Sequence, residues 1–414
     1  MIDCGLEDDD LEKIVYRLME DKGIRNLRLG QNLFTSLSPF IELFKVKGQQ
    51  YRQLDISGSV INAEAIQEGF IQAMGCMKNL DELNISGCLA DMRSSDVKKL
   101  IDTICLGITD LRQLDISKNS LTRENFNHFF KLLQQNKSSF LECLALSQVN
   151  LPRESLAYLI NAVQQMSQLR KLNISGNEKI TGMAMQQILR GLISHQTIED
   201  LDISMTGINN DYQTLQLIGE LIQTNKSLKS LNMKSLGLTD QSCLILVDPL
   251  EQSLNMQTLN FDSNNLGAVF IQSLVNKYIM SRQGSQLTNQ AASSPKSQAS
   301  SLMTDETNSN GATSNLKNLT DPAGNRAQGL ISMSFEGNVH LGDQGAAAIS
   351  TLIQTQNPFS NNLRVVNLNE CGITNTGFEH LKQALRQRAT MANNLDLTHV
   401  KITIERNNIE QINE

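Results

Sequence analysis

Short apolar motifs recur along this chain with a period of about 29 residues. In one copy, Leu111, Leu114, Ile116 and Leu121 alternate with polar residues, and Asn119 follows the central pair. Period-two alternation over so few residues predicts a short β-strand, which buries too little surface to be stable alone. Counted by the second apolar position, the predicted strands centre on Leu27, Leu54, Leu83, Leu114, Leu144, Leu172, Leu201, Leu231, Leu259, Met333, Val366 and Leu395.

A helical pattern separates successive strands. Phe126, Phe129, Phe130 and Leu133 fall at helical spacing and therefore on one face, as do Leu156, Leu159, Ile160 and Val163. A crossover of this length connects neighbouring parallel strands. The repeated unit is therefore predicted to be strand, turn and helix.

The position after the strand most often holds Asn, as at Asn32, Asn119, Asn177, Asn264 and Asn338, or Cys, as at Cys88 and Cys371. An inward Asn side chain can bond main-chain groups where the strand turns. We interpret this position as structural. The residue between the two central apolar positions is mostly Asp or Asn, and a serine column, Ser57, Ser86, Ser117, Ser147, Ser175 and Ser204, is predicted to lie next to it on the outward face.

These motifs resemble those of leucine-rich repeat proteins of the ribonuclease-inhibitor-like class, and the Leu-Asp-Ile-Ser strings resemble the repeats of CARMIL proteins and NOD-like receptors. The resemblance implies an α/β fold: a leucine-rich repeat solenoid, horseshoe or arc, with parallel strands on the concave face and helices on the convex face. It also implies a protein-binding scaffold. The alternatives are a GTPase-activating protein of the Ran-activator type, or the repeat region of an actin-regulatory or NOD-like receptor-type protein.

The period divides the chain into five segments. Residues 1–22 are predicted to be a partial repeat or N-terminal cap, 23–280 repeats one to nine, 328–403 repeats ten to twelve, and 404–414 a short tail or cap. Residues 281–327 are rich in Ser, Asn, Gln, Thr and Ala and contain no aromatic residue, so they are predicted to be a disordered polar insertion.

Composition narrows the function classes. The formal net charge is −7, and no apolar run reaches the ~18 residues of a membrane span, so we expect neither nucleic-acid binding nor membrane insertion, and a cytoplasmic location. Seven widely spaced cysteines predict no disulfide framework. The five histidines stand at no metal or triad spacing and no phosphate loop occurs, so we expect no enzyme, cofactor or small-molecule substrate.

The candidate partner-binding residues are charged side chains beside and within the predicted strands. Large cationic side chains are common binding anchors, and the chain contains no Trp. The set is Arg25, Arg52, Asp55, Arg112, Asp115, Arg170, Asp202, Lys229 and Arg364. Asp81, Glu142 and Glu199 interrupt the basic residues of this set, and a solvated rim is the alternative interpretation.

Overall fold

A computed structural model describes residues 2–135, 140–253, 255–291, 329–355, 362–392 and 400–409. Its twelve strands are short and form one parallel sheet in which they follow one another in chain order. They are β1 (Asn26–Arg28), β2 (Gln53–Asp55), β3 (Glu82–Asn84), β4 (Gln113–Asp115), β5 (Cys143–Ala145), β6 (Lys171–Asn173), β7 (Asp200–Asp202), β8 (Ser230–Asn232), β9 (Thr258–Asn260), β10 (Ser332–Ser334), β11 (Val365–Asn367) and β12 (Lys401–Thr403).

Helices occupy the segments between the strands. They are α1 (Asp8–Glu20), α2 (Phe40–Lys47), α3 (Ala63–Gln67), α4 (Phe70–Met74), α5 (Ser94–Asp102), α6 (Arg123–Gln135), α7 (Leu156–Gln165), α8 (Gly182–Ile193), α9 (Tyr212–Thr224), α10 (Asp240–Cys243), α11 (Val247–Gln252), α12 (Ala268–Ala291), α13 (Gly342–Gln354) and α14 (Asn375–Ala392). Single turns of other helix types lie at Gly48–Gln50, Thr103–Gly107, Arg153–Ser155 and Leu244–Leu246. This alternation confirms the predicted α/β repeat architecture.

The chain forms two compact units. Unit 1 comprises Met1–Ser242 with Leu259–Asn264, and unit 2 comprises Cys243–Thr258 with Asn265–Glu414. In unit 1, strands β1 to β8 pair in parallel with their central leucines in register, from Leu27 opposite Leu54 to Leu201 opposite Leu231. In unit 2, Met333, Val366 and Ile402 align in the same way.

Helix side chains complete the core as the spacing predicts. Phe126, Phe129 and Phe130 of α6 are buried, and the ring centroids of Phe129 and Phe130 lie 5.4 Å apart. The stripe on α7 differs from the prediction at one position, because Ile160 is only half-buried while Leu159 is buried.

An asparagine ladder links successive turns. The buried Asn119 accepts a hydrogen bond at Oδ1 from the Leu89 N–H (2.9 Å) and donates from Nδ2 to the carbonyls of Ile85 and Ile116 (both 2.9 Å). Asn177 makes the same three kinds of contact. The Asn side chain therefore satisfies main-chain groups that the turn would otherwise bury unpaired.

Cysteine takes over part of this role where it replaces Asn. The Cys88 thiol donates to the Ile56 carbonyl, and the Cys371 thiol to the Phe335 carbonyl, each at 3.1 Å. All seven cysteines are free.

The first described turn repeats the geometry of a later one. The amides of Cys4 and Leu6 donate to Oδ1 of Asn32 at 3.0 and 3.2 Å, just as those of Cys371 and Ile373 donate to Oδ1 of Asn407 at 2.9 and 3.1 Å. Residues 3–6 and 370–373 thus share the same ladder contact.

The position of the twelfth strand corrects the sequence analysis. The predicted centre, Leu395, lies outside the described residues, and β12 is centred on Ile402 instead. Ile402, Ile404 and Asn407 have the spacing of Leu114, Ile116 and Asn119, and Asn407 donates to the Leu368 and Ile404 carbonyls.

Helix α12 continues to Ala291, inside the segment assigned to the polar insertion. The remainder of the predicted insertion, 292–327, lies outside the described residues.

Candidate functional site

The strands of unit 1 present two rows of side chains on the side away from the core. We call these rows the strand face: they are the residues directly before and directly after each central leucine of β1 to β8. Along the second row the register places Asp55 beside Asn84, Asn84 beside Asp115, and so on to Asn232. In β2 to β8 nearly all of these residues are half-buried, whereas the leucine between them is buried.

The acidic members of the second row have a local structural role. Oδ1 of Asp55, Asp115 and Asp202 accepts from the main-chain amide two residues later, at 3.0, 2.8 and 3.0 Å. This contact holds the end of the strand, as Asx turns do. No ion pair of these three carboxylates occurs within the described part of the chain.

The sequence analysis expected the serine column on the outward face, but the structure does not place it there. Ser57, Ser86, Ser117, Ser175 and Ser204 are buried, and Ser147 is half-buried. The amides of Ser57 and Ser117 donate to the Asp side chain two residues earlier, and the Ser175 hydroxyl donates to Oγ of Ser147 (2.8 Å).

A second column runs along one end of the strands of unit 1. We call it the edge column, and its members each stand directly before a strand: Arg25, Arg52, Asp81, Arg112, Glu142, Arg170, Glu199 and Lys229. In each successive pair of members, the main-chain N–H of the later residue donates to the carbonyl of the earlier one. The first bond runs from the Arg52 N–H to the Arg25 carbonyl (2.7 Å), and the last from the Lys229 N–H to the Glu199 carbonyl (2.8 Å). The structure therefore brings five of the predicted basic residues together.

Within the edge column the acidic and basic side chains pair with one another. Arg112 Nη1 lies 2.6 Å from Glu142 Oε1, Arg52 Nη1 lies 3.9 Å from Asp81 Oδ1, and both Arg170 and Lys229 bond Glu199, the latter at 2.8 Å. The hydrogen bond from Lys229, with the charge of Arg170 beside it, lowers the pKa of Glu199. The acidic residues that interrupted the sequence pattern are thus the partners of the basic ones.

Arg25 is exposed at the start of the column. One predicted basic residue stands apart from it. Arg364 lies in unit 2, where it is exposed and its N–H donates to the Ile331 carbonyl (2.8 Å). Sequence reasoning also missed Arg28, whose guanidinium on β1 bonds Gln53 Oε1 (2.9 Å) and lies 3.5 Å from Glu82. The signal for it was a cation at a position otherwise held mostly by Asp or Asn.

The described residues contain no cluster of His, Cys, Asp and Glu arranged to hold a metal ion. Among the same residues, no helix combines the length and the apolar character that a membrane span requires.

Comparisons with known proteins agree with this geometry. The family model of the PRAME C-terminal domain matches residues 40–205. Protein CARMIL of Dictyostelium discoideum is 23% identical over 222 residues, which is 51% of this chain. This chain has a leucine-rich repeat fold.

The likeness to CARMIL covers only part of that relative, since the leucine-rich repeat chain spans 20% of its length. Similar solved structures include the yeast Rad7–Elc1 complex (12% identity, 98% of this chain and 85% of that chain, TM-score 0.46) and an internalin of Listeria monocytogenes (13% identity, 87% and 79%, TM-score 0.39). A third is the actin-binding site 2 of leiomodin-1 (11% identity, 42% and 100%, TM-score 0.30).

Proposed function

We propose that this leucine-rich repeat protein is a non-enzymatic scaffold that binds a partner protein through the strand face and edge column of unit 1. Leucine-rich repeat folds are in general binding scaffolds, which supports this class of function. The partner, the binding residues and the absence of catalysis belong to the proposal.

The observation that carries the proposal is the regular register of β1 to β8. Eight strands at a spacing of ~4.8 Å extend over roughly 34 Å, and four residues per strand, edge column included, add a width of ~13 Å. The projected area of about 450 Å² is more than half of the ~800 Å² that each partner buries in a standard protein interface. The ladder and the Asx contacts fix the backbone beneath this surface before any partner arrives. Binding to a preformed surface costs little ordering free energy.

The edge column contributes specificity in this proposal. Paired charges at the border of an interface steer encounter and disfavour partners with the wrong charge pattern. Since Arg52, Arg112 and Arg170 are held by acidic neighbours, their head groups are already oriented.

The test uses affinity capture from a lysate of the source cells with three baits. The parent is compared with Arg52→Glu/Arg112→Glu/Arg170→Glu and with the exchanged pair Arg112→Glu/Glu142→Arg. The exchange keeps one ion pair and alters only the position of its charges, so it controls for loss of the pair itself. Exposed ion pairs contribute ~0.2–1 kcal/mol each, so all three baits should fold, which circular dichroism verifies.

We expect a protein captured by the parent to be reduced about tenfold or more by the triple variant. Capture by the exchanged pair should also fall, because the charge pattern and not the pair is recognised. If all three baits capture the same proteins equally, the edge column is a solvated rim and this part of the proposal is wrong.

A further inference from the structure

One strand of the strand face breaks the rule that its neighbours follow. In β2 to β8 the residue after the central leucine is Asp or Asn, except in β5, where it is Ala145. The Asp and Asn side chains each accept from the amide two residues later, and Ala145 cannot. The corresponding amide, that of Ser147, donates instead to Oγ of Ser117 on the neighbouring repeat (3.0 Å). A serine of the neighbouring repeat thus provides the acceptor that Ala145 cannot provide.

The side chain that β5 contributes to the first row of the strand face is also short. Cys143 stands there, and its neighbours in register are Gln113 on β4 and Lys171 on β6. Cys143 and Ala145 are half-buried, while Gln113 and Lys171 are exposed. Two small side chains, those of Cys143 and Ala145, therefore lie on β5 where the first row carries the longer Gln113 and Lys171 on either side. We call Cys143 and Ala145 the β5 hollow.

Unpaired charges of opposite sign border this hollow. Asp115 lies beside Ala145 on the β4 side, and Lys171 lies beside Cys143 on the β6 side. Neither makes an ion pair with another described residue. At the ends of the same strands, by contrast, Arg112 is paired with Glu142. The hollow thus combines two small side chains with two charges that form no ion pair among the described residues, and Asp200 is the neighbour of Lys171 on the side away from the hollow.

Resting on the proposed function, we propose that the β5 hollow is the central contact of the interface and accepts one aliphatic side chain of a partner protein. A basic group of the partner next to that side chain faces Asp115, and an acidic group faces Lys171. Interfaces place an apolar anchor at the centre and polar groups around it, and the hollow has this arrangement. Departures from a repeat's local rules tend to mark functional positions.

The test fills the hollow and measures binding of a defined probe. A displayed library of short random peptides is selected on the full chain, and the selected peptides are then measured on Ala145→Arg and on the control Asn161→Arg, which places the same side chain at an exposed position of α7 outside the strand face. Because β1 already carries an exposed Arg28 in the register of Ala145, both variants should fold. Circular dichroism checks that they do.

We expect the selected peptides to contain an aliphatic residue flanked by a basic and an acidic residue. Their affinity should fall about tenfold or more on Ala145→Arg and change less than about twofold on Asn161→Arg. The exchange Asp115→Lys/Lys171→Asp should reverse the preferred order of the flanking charges.

The Cys143 thiol supplies an independent readout. In a Cys4→Ser/Cys76→Ser background the other four cysteines are buried, so maleimide reacts fastest with Cys143. A bound peptide should slow this reaction, and prior modification should block peptide binding.

Equal peptide affinity for the parent and Ala145→Arg, or no peptide enriched above an uncoated support, would overturn the inference. The proposed function can fail independently of this inference. If lysate capture depends on the edge column but is unaffected by Ala145→Arg, the proposed function stands and the β5 hollow is not part of it. If peptides bind through the hollow but no protein is captured from the lysate, the role of the edge column is not supported.

Discussion

The asparagine ladder makes a quantitative prediction about stability at Asn119. The side chain is 2% exposed, and Asn119→Ala removes the acceptor of the Leu89 N–H and the donor to the Ile85 and Ile116 carbonyls. The Ile85 carbonyl keeps a bond from the Cys88 N–H (3.2 Å). Two buried main-chain groups are therefore orphaned, and at ~1–3 kcal/mol each the loss is about 2–6 kcal/mol.

Urea unfolding followed by circular dichroism measures this loss, and hydrogen exchange at the Leu89 amide localises it. Asn161→Ala is the matched control, because Asn161 is exposed on α7 and its replacement should change the free energy of unfolding by less than ~0.5 kcal/mol. Asn119→Cys should fall between parent and Ala, since the Cys88 thiol makes one such contact naturally. A loss below about 1 kcal/mol for Asn119→Ala, with unchanged exchange at Leu89, would refute the ladder argument.

Three further predictions concern buried or paired groups. The Tyr51 hydroxyl is buried without a partner among the described residues, so Tyr51→Phe should leave the urea midpoint unchanged or raise it; a loss above ~1 kcal/mol would contradict this. Burial lowers the pKa of His195, so the unfolded chain binds the proton more readily and the free energy of unfolding should fall as pH decreases below ~6.5. His195→Gln should remove this pH dependence, and an unchanged slope of the free energy of unfolding against pH would refute the prediction. The pKa of Glu199 is lowered by Lys229 and Arg170, so its contribution should be present above pH ~4.5 and lost as pH falls further; in acid titrations of stability, Glu199→Gln should flatten this limb, and a parallel curve would count against the pairing.

Most of the fold could be predicted because the repeat is a local signal. A strand, its turn residue and the following helix lie within one period, and eleven predicted centres, from Leu27 to Val366, coincide with the centres of β1 to β11. The twelfth was missed because Leu395 matched the apolar spacing alone. The five-residue step from Ile402 to Asn407, which matches that from Leu114 to Asn119, would have identified it.

The candidate site was less predictable because it depends on how side chains reach across strands. The sequence shows that acidic residues alternate with Arg112 and Arg170, but not that Glu142 lies within 2.6 Å of the former. It likewise shows serine at a fixed position without revealing that the Asp115 side chain draws the Ser117 amide inward. Register brings these residues together, and only the side-chain geometry decides whether they pair with one another or face solvent.

Cysteine footprinting of the complex with the captured partner tests the central claim most directly. Single cysteines replace Ser230 on the strand face and Asn161 on the helix side, in a background without the accessible natural thiols, and their rates of maleimide reaction are compared with and without the partner. The account predicts that the partner slows modification at position 230 and leaves position 161 unchanged. Protection at position 161 with full reactivity at position 230 would show that the helices, and not the strand face, bind the partner.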